Sequence, residues 1–193
     1  MSDVIGTVVR LQVQRSPLKL GERGARVYDP GPLLEVTAVD VGPRGVVGIT
    51  EDGPVLDVHH ADHPDTRNTR LANGLSLLPR AHYTRLRQTY GPHLVDGMAG
   101  ESLLFDTDGP WRIEDLAGAL ELETSDGGWL VLTDVVVAAP CVEFSRFCLA
   151  GPGSVEAAIS DLGDGVRGFY VRTAGTGRVQ AGARLRRSPE QLG

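Results

Sequence analysis

Cysteine is scarce in this chain of 193 residues: there are two, Cys141 and Cys148, too few for a disulfide framework. Positive charge is the minority sign, with 19 Lys and Arg against 25 Asp and Glu, for a formal net charge of −6. No basic stripe relieves that balance, so no nucleic-acid partner is expected. Apolar runs are short; none approaches the ~18 residues of a membrane-spanning helix. No charged-then-apolar leader follows Met1-Ser2-Asp3. These absences give the expectation of a cytoplasmic protein without a membrane partner. Internal repeats and low-complexity stretches are missing as well.

Glycine and proline are plentiful, 25 and 12, and they punctuate short apolar runs. That is the look of a mainly β fold, a barrel or a sandwich. The apolar fraction of 41% suffices for a real core, and one domain over residues 1–193 is expected. The reading favours a mostly antiparallel β-barrel with three or four short helices. Val9, Leu11 and Val13 alternate with Arg10, Gln12 and Gln14, a half-buried strand, and Leu18 to Pro32 reads as a loop. Further strands are expected at Leu33 to Val41, Gly45 to Thr50 and Val55 to Val58, the last two joined by an Asp52-Gly53 turn. Pro79 to Tyr90 is the clearest helix, started by proline and stopped by Gly91-Pro92. Its stripe of Tyr83, Leu86 and Tyr90 reads as core packing. A hairpin is expected from Ala119 to Val137, and Ser154 reads as the cap of a short helix. Val166 to Arg172 and a last strand carrying Val179, Ala181, Ala183 and Leu185 on one face complete the pattern.

One stretch is placed to do chemistry. The apolar run Trp129 to Val137 ends at Pro140, after which Cys141, Phe144, Phe147 and Cys148 recur at helical spacing. Proline suits the first helical position, where its missing N–H costs nothing, and this puts Cys141 in the first turn. Unpaired N–H groups and the positive dipole end there favour a thiolate, the form that attacks and ligates. The competing reading is a cysteine that fills core like a small hydrophobe. It suits Cys148, between Phe147 and Leu149, better than Cys141. On one helix the two Cα atoms would lie ~10 Å apart, beyond the ~7 Å that a disulfide tolerates.

Two loops stand beside it. His59-His60-Ala61-Asp62-His63-Pro64-Asp65-Thr66-Arg67-Asn68 holds three histidines but matches no metal-binding signature, and it reads as a polar loop able to line a pocket. Gly97 and Gly100 imply a bend or a close approach, and Glu101 after them either caps that turn or faces a ligand.

Four segments, in order, resemble the MOSC domain, named for the C-terminal part of molybdenum cofactor sulfurases. They are Asn73-Gly74-Leu75-Ser76-Leu77-Leu78-Pro79-Arg80-Ala81-His82-Tyr83, then Gly97-Met98-Ala99-Gly100-Glu101-Ser102-Leu103, then Pro140-Cys141. The fourth is Gly168-Phe169-Tyr170-Val171-Arg172 followed by Gly177-Arg178-Val179-Gln180-Ala181-Gly182. The resemblance covers about residues 45 to 187 and rests on the order and spacing of the segments, with 1–44 adding strands to the same barrel. It implies a barrel with a pocket for molybdopterin, the pterin form of the molybdenum cofactor. Cys141 is then the metal ligand or carries sulfur as a persulfide. For some members it implies reduction of N-hydroxylated compounds, with a flavin or iron–sulfur protein as electron donor.

On this resemblance Cys141 is the catalytic residue, and Gly97, Gly100, Glu101, Tyr170 and Arg172 are expected at the cofactor. Ser102 stands where the family usually has Asn, and the His-Gly-Gly of many members aligns near Asn68-Thr69-Arg70, or at His59-His60 if about eight residues are inserted between. Arg67, Asn68 and Arg70 are therefore the candidates for the cofactor's phosphate. Two other readings stay open: a barrel that binds an anionic small molecule without turnover, and a cysteine hydrolase pairing Cys141 with a histidine such as His60.

Overall fold

The computed structural model describes residues 3–22, 24–68 and 74–188. Its first half runs β1 (Val4–Gln14), β2 (Lys19–Leu20), β3 (Val27–Tyr28), β4 (Leu33–Val36), β5 (Ala38–Gly42), β6 (Gly45–Thr50), β7 (Gly53–Leu56), β8 (Leu75–Pro79) and helix α1 (Arg80–Tyr90). After these come β9 (Leu103–Asp106), β10 (Leu120–Glu123), β11 (Trp129–Val137), helices α2 (Val142–Leu149) and α3 (Val155–Asp161), and β12 (Phe169–Arg172), β13 (Gly177–Gln180) and β14 (Arg184–Arg187). A single 3₁₀ turn, Ile113–Leu116, precedes β10.

Among the described residues seven strands close a barrel in the order β14-β10-β11-β12-β8-β9-β1, with β1 returning onto β14. Only the β8–β9 pair in this ring is parallel. Closure removes the open edges that would otherwise pair with other chains. Strand β4 extends the sheet beyond β1, and a second sheet, β13-β5-β6-β7, lies beside it. The fold is thus mainly β, a closed barrel carrying three α-helices among the described residues.

Two apolar clusters lie on opposite faces of the same strands. Leu77 of β8 and Leu103 of β9 point into the barrel with Leu11, Phe105, Phe169 and Leu185, and the second sheet adds Val39, Val46 and Val179. Leu78 and Leu104, one position along, point outward beneath the helices with Tyr83, Leu86, Phe144 and Leu162. Alternation along a strand produces both faces, and here each face is covered.

Several sequence expectations change in detail. The end of β1, from Leu11 to Gln14, is buried on both faces: Gln12 and Gln14 are enclosed along with Leu11 and Val13, because the loop from Gly97 to Gly100 covers them. The run from Leu33 to Val41 breaks at Thr37 into β4 and β5, which belong to different sheets. The closing stretch likewise splits into β13, in the second sheet, and β14, in the barrel. Val179 and Leu185 still reach one apolar core, with Ala183 packed against it, but Ala181 is exposed at the turn between the two strands. Residues 18 to 32 are more than a loop, since β2 and β3 pair as a short ribbon.

Candidate functional site

Strand β11 delivers the chain to Ala138, and four residues later α2 begins. Cys141 is the N-cap of α2, with extended backbone angles of φ −119° and ψ 156°. Pro140 therefore stands just outside the helix, not at its first position. The Cys141 sulfur takes the acceptor role that an N-cap side chain usually fills: the Phe144 N–H donates to Sγ at 3.5 Å. The thiol consequently sits beside the free N–H groups that open the helix. Cys148, two turns on, is wholly enclosed, and burial pushes its thiol up to about 12.

Cys141 opens onto a cavity of about 290 Å³. The floor on its side is Ala139, Arg167 and Tyr170, the last on β12. Facing them, the β2–β3 ribbon contributes Lys19, Arg26 and Tyr28, and the polar loop after β7 contributes His59, Asp65 and Arg67. Four cations thus meet one carboxylate in a chain that is acidic as a whole. Lys19 lies 3.8 Å from Glu143. Arg26, Arg67 and Arg167 form no salt bridge among the described residues. Arg167 lies over the Phe144 ring, 4.6 Å from its centroid, a cation–π contact at the cavity wall. Such a cavity attracts an anion.

Behind the cavity lies a second, buried polar layer. Gln12 and Gln14 donate to the carbonyls of Gly97 and Gly100 at 2.8 and 2.7 Å, and the Tyr28 hydroxyl donates to the Met98 carbonyl at 2.7 Å. Gly97 has φ +94°, and a Cβ there would meet Gln12 Oε1 at 2.6 Å. The close approach that the glycines allow is thus to β1. Glu101 is 2% exposed and takes the Tyr83 hydroxyl at 2.8 Å, while that oxygen accepts from Ala99 N–H, also at 2.8 Å. Burial pushes the Glu101 carboxyl up to about 7. Tyr83 is more than packing, since it holds the loop through both bonds.

The predicted site residues therefore divide. Cys141, Arg67 and Tyr170 share the cavity. Glu101, Gly97 and Gly100 support it from behind, through Gln14 and Tyr28. Asn68 is buried and its Nδ2 donates to the His59 carbonyl at 2.9 Å, which folds the polar loop. Arg172 lines another cleft, of about 260 Å³, with Gly42, Gly74 and Leu75. The register explains this: Phe169 pairs with Val137 near Cys141, whereas Arg172 pairs with Thr133, toward the far end of β11. Arg70 lies outside the described residues.

Lys19, Arg26, Tyr28 and Arg167 were not singled out from sequence, whereas His59 belongs to the polar loop expected to line a pocket and does so. The two ribbon cations sit in a charge-rich stretch with no periodicity, so only the tertiary fold brings them in. His60, the histidine proposed to pair with Cys141, lines a different surface, near Arg44 and Asp40. No group of three or more His, Cys, Asp or Glu side chains able to hold a metal forms among the described residues. The histidines of the loop are engaged locally instead: His60 Nδ1 accepts from Asp62 N–H and His63 Nδ1 from Asp65 N–H, both at 3.1 Å.

With the barrel and its cysteine-bearing cavity defined, comparison with solved structures places the fold. The YuaD protein from Bacillus subtilis superposes with a TM-score of 0.61 at 10% identity, over 94% of each chain. YiiM from Geobacillus stearothermophilus gives 0.58 at 18% identity, over 97% of this chain and 77% of that one. YiiM from Escherichia coli gives 0.50 at 15% identity, over 79% and 63%. At these identities the likeness concerns the fold. No protein-family model and no curated protein matches the sequence. No helix among the described residues is long and apolar enough to cross a membrane.

Proposed function

We propose that the chain binds a molybdopterin-type cofactor in the cavity at Cys141 and uses it either to reduce N-hydroxylated compounds or to carry sulfur. The observation that supports this reading is the juxtaposition of one accessible sulfur with Lys19, Arg26, Arg67 and Arg167 around a cavity whose described lining includes one carboxylate, Asp65. The donor set suits such a group. Sulfur is a soft ligand for a metal that arrives with its own organic ligands, and guanidinium groups match phosphate oxygens in pairs. Arg26, Arg67 and Arg167 would hold the phosphate, Cys141 would be the protein's ligand or persulfide, and Tyr28 and Tyr170 would flank the pterin. When bound, the cofactor would supply two-electron redox chemistry. The chain's own part is to orient the anion, keep the sulfur accessible at the helix start, and fix the walls through Gln14 and Glu101.

A glycine pair is missing where the family carries one, and side-chain cations take the place of backbone N–H groups. That difference favours, as a second reading, an anion-binding barrel without turnover. Protein made in a host that synthesises the cofactor separates the two. About one pterin released per chain on denaturation, with turnover of an N-hydroxylated amine by a flavin or iron–sulfur donor, is the expected result. Phosphate binding without pterin would leave the second reading.

A further inference from the structure

Asp57 precedes the cavity-lining Val58 and His59 in the chain, is 2% exposed, and has both carboxylate oxygens engaged. Its Oδ2 accepts from Gln14 N–H at 2.8 Å. Its Oδ1 accepts from His59 N–H at 2.8 Å and stands 2.9 Å from His59 Nδ1. The His59 ring is itself a cavity wall, its side chain 30% exposed. Its other nitrogen, Nε2, makes no hydrogen bond among the described residues. An ionised carboxylate is an acceptor only, so Nδ1 must carry the proton, and in the neutral ring Nε2 is then a bare lone pair. A buried acid that fixes the tautomer of a pocket histidine is the arrangement proton transfer requires.

We infer that Asp57 and His59 are the proton-transfer pair of this cavity: the bare Nε2 of His59 first takes a proton from solvent, and the imidazolium so formed, held by Asp57, delivers that proton to the leaving oxygen of an N-hydroxylated substrate. This rests on the reductase form of the proposed function. The N–O bond breaks and its electron pair leaves with oxygen. That oxygen takes the Nε2 proton and departs as water, while two electrons from the flavin or iron–sulfur donor and one proton from solvent complete the amine. Solvent then reprotonates His59. Asp57 is the positioning residue. The charged groups that share the cavity are Asp65 and Arg67 on the same loop, Lys19 and Arg26 on the ribbon, and Arg167; Tyr28, Tyr170 and Cys141 are the other titratable ones.

The test has two arms on the full chain. In the cofactor-free protein, nitrogen-15 spectra of the His59 imidazole above its titration should show a protonated Nδ1 and a bare Nε2, with the preference lost in Asp57→Asn. A proton on Nε2 in the neutral wild-type ring overturns the inference. In the loaded protein, His59→Gln should lower kcat by on the order of 100-fold, with molybdenum content and KM within about twofold of wild type. An unchanged kcat, or a loss of molybdenum in His59→Gln, also overturns it, the latter because the ring would then hold the cofactor. A wild-type chain that loads no cofactor contradicts the proposed function instead, and the imidazole spectra then decide the inference by themselves.

Discussion

Cys141 and Cys148 are a residue-scale contrast made by one helix. The first caps α2 and reaches solvent through the cavity; the second is enclosed, its thiol pushed up to about 12 by burial. At pH 7 a thiol of that kind is ionised in only ~1 molecule in 10⁵, and thiolate fraction sets the alkylation rate. Iodoacetamide at neutral pH is therefore expected to label Cys141 in the native protein and Cys148 only after unfolding, as peptide mass analysis would read. Equal labelling of both would contradict the burial. Glu101 allows a second measurement. Its carboxyl ordinarily titrates near 4.5 and is pushed up to about 7 by burial. Between those values the folded chain holds a proton that the unfolded chain has released, so this group's contribution is complete below about pH 4.5 and lost as pH rises through 7. Glu101→Gln should thus gain stability relative to wild type by on the order of 2–3 kcal/mol between pH 5 and pH 8, read from denaturant midpoints. An equal difference at both values would show that the carboxyl is not buried as described. Cys141 was legible because proline and helical spacing are local signals. The bond from Tyr83 to Glu101 was not, because helical periodicity reports which face a tyrosine occupies and says nothing of where its hydroxyl ends.

At the scale of elements, the segment from Asp96 to Glu101 ties a helix to a strand. Arg80 and Arg87 of α1 both reach Asp96, at 3.1 and 3.0 Å, while Gln12 and Gln14 of β1 take the carbonyls that follow. Gly97→Ala would put a methyl group within 2.6 Å of Gln12 Oε1 and 2.7 Å of Arg10 Nε in a left-handed backbone. A loss of about 2–4 kcal/mol is expected, from the unfavourable φ and the broken Gln12 bond together, measured by thermal or denaturant unfolding. An alanine tolerated at no cost would refute the close packing. Helix α1, the hairpin of β10 and β11, and the Ser154 cap were readable because each is framed by Gly, Pro, Asp or Ser at fixed offsets. The β2–β3 ribbon was not, since two-residue strands have no period. The breaks at Thr37 and between β13 and β14 were hidden for a related reason: an alternating run looks the same whether or not the chain changes sheets halfway along it.

The whole molecule sets an acidic surface against a cationic cavity. A net charge of −6 conceals Lys19, Arg26, Arg67 and Arg167, which lie apart in sequence and converge only when the barrel closes. Closure through β1 and β14 carries β1 and the ribbon that follows it round to the mouth where β11 and β12 present Cys141 and Tyr170. Fold class was therefore readable from the spacing of short apolar runs, while the charge of the site belonged to topology. Molybdenum content tests the central claim most directly, on protein purified from a cofactor-producing host. The expected result is close to one molybdenum per chain in wild type. Cys141→Ser should lose most of it, and Arg67→Ala combined with Arg167→Ala should lose it too, with an unchanged circular dichroism spectrum in each case. A wild-type chain without molybdenum, or a Cys141→Ser chain that retains it in full, would contradict the account.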